Sequence, residues 1–520
     1  MDWFTRRELL GGAALAGGAL LIGAEARAAI LGKYPFSLGV ASGDPAPDGM
    51  VLWTRLALDP MAPDGGMPHR AIRVRWEISE NEHFAGARSG TALAEPAWGH
   101  SVHVEVTGLK PGRPYWYRFI MGGETSPVGR TRTAPALGAA VDRLKLCFGS
   151  CQKYEVGYYA AYRHMVAEDP DLIVFLGDYI YEGDPSEGAL RKHQNPKPKD
   201  VGGYRVRYAT YKSDPLLQAA HHAAPWIVTW DDHEVENNYT GDHDQENDDP
   251  AAFLRLRAAA YHAHYEHMPL RRRARPSGAS SLLYRTVDWG GLAQFQVIDD
   301  RQFRAPPPCQ APGAIERHLH TQSLLPDCPE RSDPARSMLG KVQEAWLADR
   351  LGKTRARWNL LSQQTLMMPF KRLDPEHVDR GPSVYDTDQW EGYPATRERV
   401  TRVWRDAKTP NPLVLSGDIH SFAAGDHGDP DNAKALIASE FVGGSITSLG
   451  KSTTFKPGAA LDPHFHYAEN EVRGYGRVEL TPDRCDVAFR GLADARDPDS
   501  TIRDLARFTV ENGRPGIQSG

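Results

Sequence analysis

Leu172-Ile173-Val174-Phe175-Leu176-Gly177-Asp178-Tyr179-Ile180-Tyr181 is the stretch on which the reading of this chain turns. Five apolar residues in a row, without polar alternation, describe a strand buried on both faces, as in a sheet covered by helices. The glycine then releases the strand into a carboxylate and two phenols. The segment before it, Leu144 to Phe148 and then Tyr158 to Glu168, predicts a strand followed by a helix that stops before Pro170. The same order recurs at Trp226 to Trp230, Ala293 to Ile298, Trp358 to Ser362 and Pro412 to Leu415. Several two-sided strands alternating with helices imply a layered α/β core.

Three further strand ends repeat the polar turn: Phe148-Gly149-Ser150-Cys151, Trp230-Asp231-Asp232-His233-Glu234 and Ser416-Gly417-Asp418-Ile419-His420. Open α/β folds place their ligands at the carboxyl ends of strands, so all four turns are expected at one sheet edge. A lone Gly-Asp after a strand is commonly a cap or a turn. Four together bring carboxylates, imidazole, thiol and phenol to one place, which is repulsive and costly to desolvate unless cations neutralise them. Asp178 with Tyr181 suits a hard, highly charged ion such as ferric iron, and Cys151 either adds a thiolate or is a buried inert thiol. Asp232, His233 and Asn237 or Asn238 supply oxygen-rich ligands for a second ion such as Ca²⁺, Mg²⁺ or Mn²⁺, and His420 completes either site or meets substrate. Adjacent cations of this kind clamp a phosphate and activate a water, with no side-chain nucleophile required.

From Tyr34 to about Pro135 the pattern is all β, with alternation at Ile72, Val74, Trp76, Ile78 and at Val102, Val104, Val106. Gly108-Leu109-Lys110-Pro111-Gly112 followed by Tyr115-Trp116-Tyr117-Arg118-Phe119 resembles a turn and strand of a fibronectin type III sandwich. The expected domains are therefore 34–135, a β-sandwich, and 142–520, the α/β domain. Residues 183–203 and 370–395 read as long loops over the sheet, and Ser500 to Phe508 has helical spacing, predicting a C-terminal helix that covers the site.

The first 28 residues differ in kind. Thr5-Arg6-Arg7-Glu8-Leu9-Leu10, a modest apolar region and Ala26-Arg27-Ala28 resemble a twin-arginine signal peptide, implying recognition by the twin-arginine export machinery and a periplasmic or secreted product. The alternative is an uncleaved anchor, against which Glu25 and Arg27 speak. With 61 Lys plus Arg against 67 Asp plus Glu, no strong field points to nucleic acid. Five cysteines leave at least one unpaired; in an oxidising compartment Cys309 and Cys328 are expected to close a Pro-rich loop as a disulfide, the alternative being two free thiols.

Taken together, Val40-Ala41-Ser42-Gly43-Asp44-Pro45, Leu52-Trp53-Thr54-Arg55, the four turns, Ser439-Glu440-Phe441-Val442-Gly443 and Arg473-Gly474-Tyr475 resemble the PhoD family across the mature chain. The Gly-Asp-x-x-Tyr order is also similar to metallophosphoesterases and purple acid phosphatases. The resemblance implies a four-layer metallophosphoesterase-like α/β sandwich that hydrolyses phosphate monoesters or diesters. It implies one Fe³⁺ through Cys151, Asp178 and Tyr181, with one or two Ca²⁺ beside it and Asp232, Asn237, Asp418 and His420 as further ligands; Asp231, His233 and Asn238 can exchange roles with these. Asp178, His233 and His420 are the implied catalytic residues. Substrates would be small phosphate esters, with phospholipid or teichoic-type polymers as larger candidates. The rivals are a phospholipase D-like phosphodiesterase on the same fold and a non-catalytic, metal-stabilised binding protein. Arg205, Arg207 and Tyr208 could hold phosphate or be helix surface; His221-His222 reads as packing; Trp390 and Tyr393 either gate the site or anchor their loop.

Overall fold

The structure, a computed structural model, describes residues 33–245, 249–311, 313, 323–450 and 452–519. The signal expected over 1–28 lies outside the described residues, among which no helix is long and apolar enough to cross a membrane.

The first strands are β1 (Val40–Ala46), β2 (Gly49–Arg55), β3 (Ile72–Ser79), β4 (Arg88–Ala94), β5 (Ser101–Val106), β6 (Pro114–Met121), β7 (Glu124–Thr125) and β8 (Gly129–Arg132). Along β3 the apolar residues Ile72, Val74, Trp76 and Ile78 are buried while Arg73 and Arg75 face water, as period-two alternation requires. β3, β4, β6, β7 and β8 form one sheet; β1, β2 and β5 lie in another. Their inner faces share a core in which Val74, Tyr117 and Phe119 meet Met50, Leu52 and Val104. This is the sandwich arrangement expected of the segment, yet it is not self-contained. Gly43 of β1 pairs in parallel with Trp226, so β1, β2 and β5 continue the sheet that carries three of the four turns.

That sheet is built on β9 (Leu144–Gly149), α1 (Ala160–Ala167), β10 (Leu172–Leu176), α2 (Val201–Lys212), α3 (Pro215–Ala223), β11 (Trp226–Thr229) and α4 (Pro250–His267). β9, β10 and β11 are parallel. Asp214 caps α3 by accepting from Leu216 and Leu217 N–H, and Pro215 occupies the first turn. Cys147, Ile173, Phe175, Trp226 and Val228 pack on the helices. Leu146, Phe148, Val174, Leu176 and Ile227 point the other way, into a core between two sheets.

The second sheet comes from β12 (Arg285–Trp289), β13 (Ala293–Val297), a short β14 (Leu324–Pro326), α5 (Gly340–Lys353), β15 (Trp358–Ser362), β16 (Arg372–Leu373), β17 (Pro382–Asp386), α6 (Pro394–Asp406), β18 (Pro412–Ser416), β19 (Phe422–Asp429), β20 (Asn432–Gly443), α7 (Phe455–Ala459) and β21 (Phe465–Glu469). β13, β15, β18 and β20 run parallel. α5 and α6 cover its outer face, where Leu347, Val400 and Trp404 meet Leu361 and Val414. The layers are therefore helix, sheet, sheet, helix. β14, β17 and β16 form a small separate sheet, so the expected 370–395 loop is partly ordered as strand.

The expected C-terminal helix is not there. β22 (Gly474–Leu480), β23 (Arg484–Leu492), β24 (Ile502–Glu511) and β25 (Arg514–Ser519) extend the first sheet antiparallel to β9. Residues 502–508 lie in β24, paired from Ile502 opposite Leu492 to Phe508 opposite Val487, with Phe508 and Val510 buried alternately. Cross-strand pairing overrode the local spacing. Cys309 and Cys328 do form a disulfide, and Cys147, Cys151 and Cys485 are free and buried.

Candidate metal centre

Residues that follow β9, β10 and β11 in one sheet and β18 and β20 in the other line one cavity of about 420 Å³. The turns are knitted to each other by main-chain bonds: Cys151 N–H donates to Gly177 C=O (3.1 Å) and Gln152 N–H to Asp178 C=O (3.1 Å). Glu234 ties two more ends together, accepting from the N–H groups of Asp178 (3.0 Å), Tyr179 (2.6 Å) and Asp231 (2.8 Å). Close approach demands glycine at two of these turns: a Cβ on Gly177, whose φ is +105°, would stand 2.4 Å from Asp231 Cβ, and one on Gly417 2.4 Å from Ser150 Oγ.

Cys151, Asp178, Asn238, Asp418 and His420 all adopt positive φ, between 51° and 61°. Such backbone is sparsely populated by non-glycine residues, and its concentration here marks a site over-determined by its surroundings.

Three sets of side chains present ligand atoms within 4.8 Å of one another: Cys151, Asp178 and His420; Asp178, Asp232 and His233; Asp231, Asp232 and Asp418. Asp178 belongs to two sets and Asp232 to two, so the sets form one chain of donors. Tyr181 joins it, its hydroxyl donating to Asp178 Oδ2 (2.7 Å), accepting from Ser448 Oγ (2.6 Å) and lying 3.0 Å from His420 Nε2. Of the residues expected from sequence, Cys151, Asp178, Tyr181, Asp232, His233, Asp418 and His420 are thus brought together. Asn237 lines the same cavity, but its amide donates to Gln245 (2.8 Å).

Electrostatics agree with a cation at this place. Burial, reinforced by Asp232, Glu234 and Asp418 and opposed by His233, holds the Asp178 carboxyl well above the usual range. Burial also lifts Asp418 to about 7, against the pull of Arg301. Burial and Asp178 push the Cys151 thiol and the Tyr181 phenol up. Asp178 Oδ1 and Asp231 Oδ2 are buried without a hydrogen-bond partner among the described residues. A hard cation among these groups would satisfy the orphaned oxygens and reverse each shift, so the donor set fits a metal. His233 moves the other way: burial lowers it, but Glu182 (Nδ1 to Oε2, 2.6 Å), Asp232 and Asp178 outweigh burial and hold its imidazolium well above the ordinary value.

Sequence reasoning missed Arg301. It follows β13 in Ile298-Asp299-Asp300-Arg301, the same strand-and-turn order as the four clusters, and its guanidinium is fully buried. It donates to Asp231 (2.5 Å), Asp388 (2.7 Å) and Asp418 (3.2 Å). Ser448, beyond the end of β20, was missed as well, and Arg473, which stands among the family-like residues, was given no role. Arg473 donates to His420 C=O and Ser445 Oγ (both 2.8 Å) and to Ser448 C=O, fixing the loop that touches Tyr181.

The remaining candidates are structural. Arg205 forms a two-pronged pair with Glu266 (2.7 and 2.5 Å), and buried Arg207 donates to the carbonyls of Tyr181, Gly183, Asn195 and Pro196. Tyr208 hydroxyl meets His264 (3.1 Å), and His221 bonds Tyr179 in the core (2.8 Å). Trp390 and Tyr393 are buried anchors, donating to Gln363 Oε1 (2.9 Å) and Ala305 C=O (2.6 Å).

Comparison with known proteins accords with this arrangement. Residues 146–489 match the model of the PhoD-like phosphatase family and residues 23–135 that of the PhoD-like phosphatase N-terminal domain. A curated relative, alkaline phosphatase D of Bacillus subtilis (strain 168), is 42% identical over 498 residues, covering 94% of this chain and 82% of that protein. A solved structure titled "Structure of PhoD" superposes with a TM-score of 0.86 at 41% identity, over 94% of this chain and 92% of the other. With matches of this extent and a donor cluster assembled from the same turns, the chain belongs to the PhoD-like phosphatase family and is a phosphoric ester hydrolase.

Proposed function

We propose that this chain is an exported hydrolase of phosphate monoesters and diesters that holds one iron through Cys151, Asp178 and Tyr181 and calcium beside it through Asp232, Asn237, Asp418 and His420. The observation that carries the reading is the continuous run of donors in which Asp178 and Asp232 each serve two sets. A thiol, a phenol and a carboxylate on one side suit ferric iron, and an oxygen-rich set on the other suits calcium. When bound, such cations activate a water and neutralise the phosphoryl oxygens.

The protein's own groups do the rest. Ser448 and Asp178 fix the Tyr181 hydroxyl from two sides. His420 donates Nδ1–H to Leu449 C=O (3.0 Å), which sets its tautomer and leaves Nε2 toward the donors. Glu182 occupies His233 Nδ1, so Nε2 is the nitrogen left to protonate a departing alkoxide. The ring of His233 packs on Tyr181 with centroids 4.1 Å apart, which holds it over the cavity. Leu449, 54% exposed at the rim, gives an apolar leaving group a surface to rest on, the feature a lipid phosphodiester would use.

The test is Asp178→Ala, assayed on p-nitrophenyl phosphate and bis(p-nitrophenyl) phosphate with elemental analysis of protein exported from its host. Hydrolysis of both esters should fall at least about 1000-fold with loss of both metals. Wild-type turnover by folded variant would end the reading.

A further inference from the structure

Five carboxylates line the cavity over the donors, Asp178, Asp232, Asp386, Asp388 and Asp418, and its lining cations are Lys153, Arg372 and His233. Two of the three cations are already engaged. Arg372 pairs with Asp386 (2.7 Å) and donates to Ser452 Oγ (2.9 Å), and His233 is bound to Glu182.

Lys153 has no carboxylate partner among the described residues; its Nζ lies over the Tyr181 ring, 5.6 Å from the centroid. Its main chain is held on both sides, Lys153 N–H donating to Ser448 Oγ (3.2 Å) and Thr447 Oγ1 donating to its C=O (2.8 Å). The root of the side chain is therefore fixed while its charge is uncommitted. An ammonium beside so many carboxylates ordinarily pairs with one of them. Staying above the phenol face instead, it stands next to the donor that closes one end of the cluster, where a phosphate bound to that cluster would present its outer oxygens.

We infer that Lys153 binds a non-bridging phosphoryl oxygen of the ester substrate, on the Tyr181 side of the cavity. The inference rests on the hydrolase reading above and adds a substrate-binding group that is not a metal ligand. Lysine serves here as a mobile point charge able to follow the phosphoryl group from ground state to product.

The experiment compares wild type, Lys153→Ala and Lys153→Arg for kcat and KM on p-nitrophenyl phosphate, for inorganic phosphate binding by calorimetry, and for metal content. Lys153→Ala should raise KM and weaken inorganic phosphate binding by about 10- to 100-fold, the loss of one charge-assisted hydrogen bond. Lys153→Arg, which keeps the charge but not the compact ammonium, should lose less phosphate affinity than Lys153→Ala, with metal content unchanged in both. Unchanged KM and phosphate affinity in the alanine variant would overturn the assignment. So would a loss of metal that accounts for the whole effect. Failure of wild type to hydrolyse the ester would sink the parent reading instead, while phosphate calorimetry would still report on Lys153.

Discussion

Replacing Arg301 with methionine tests the electrostatic logic of the site apart from turnover. The guanidinium is fully buried and donates to Asp231, Asp388 and Asp418, with Asp300 at 3.9 Å and Asp232 at 4.0 Å. Three charge-assisted bonds at about 1.5–3 kcal/mol each give a gross figure of roughly 5–9 kcal/mol. Proton uptake relieves part of that, because Asp418 already sits at about 7 and rises further once Arg301 is gone. The net cost should therefore match that of removing one partner from a buried ion pair, about 3–5 kcal/mol. The assay is urea unfolding of wild type and Arg301→Met in chelator and again with iron and calcium. In chelator the variant should lose the full amount. With metals the deficit should shrink, since cations bound to Asp231, Asp232 and Asp418 neutralise the same carboxylates and binding to the folded state alone adds stability. A loss under about 1 kcal/mol in chelator, or a deficit that grows on adding metal, would refute the reasoning.

Lys212 gives a pH-dependent prediction: it is 1% exposed, and burial pulls its pKa from 10.5 to about 7. Between those values the unfolded chain holds a proton that the folded one lacks, so this group makes stability rise with pH from about 7 to 10.5 and its penalty is complete below about 7. Lys212→Met should stabilise the protein near pH 7 by at most about 5 kcal/mol, less the contact of Nζ with the Trp53 ring at 4.2 Å, and should flatten the rise; thermal melts from pH 7 to 10 check it, and equal slopes would count against it. Ser448→Ala, which removes the 2.6 Å bond to Tyr181, should cut kcat/KM about 10- to 100-fold with little change in melting temperature; full activity in that variant would show that the hydroxyl positions nothing.

The centre was legible where ligand and strand are neighbours in the chain. A strand buried on both faces writes itself as a run such as Leu172 to Leu176, and Asp178 and Tyr181 follow directly. Arg301 escaped because an arginine beside acids reads as a solvated turn; only the convergence of two sheets makes it the counter-charge of Asp231 and Asp418. Ser448 escaped because a hydroxyl carries no spacing signal, and its role depends on a residue 267 positions away. At residues 500–508 the apolar spacing suits a helix as well as a strand, and the choice is made by β23, which local pattern cannot see.

The seam at Gly43 and Trp226 has a consequence for how this molecule can be cut. A Cβ on Gly43 would stand 2.5 Å from Pro269 C=O and 2.9 Å from Trp226 C=O, so the first strand is fitted to the edge of β11. Deleting everything before residue 142 would not trim an appendage. It would uncover the edge of β11 where Gly43 now meets Trp226, a place for pairing with other chains. A shortened protein of that kind should come out of the cell aggregated, and shuffling the front segment between relatives should succeed only when both sides of the seam travel together.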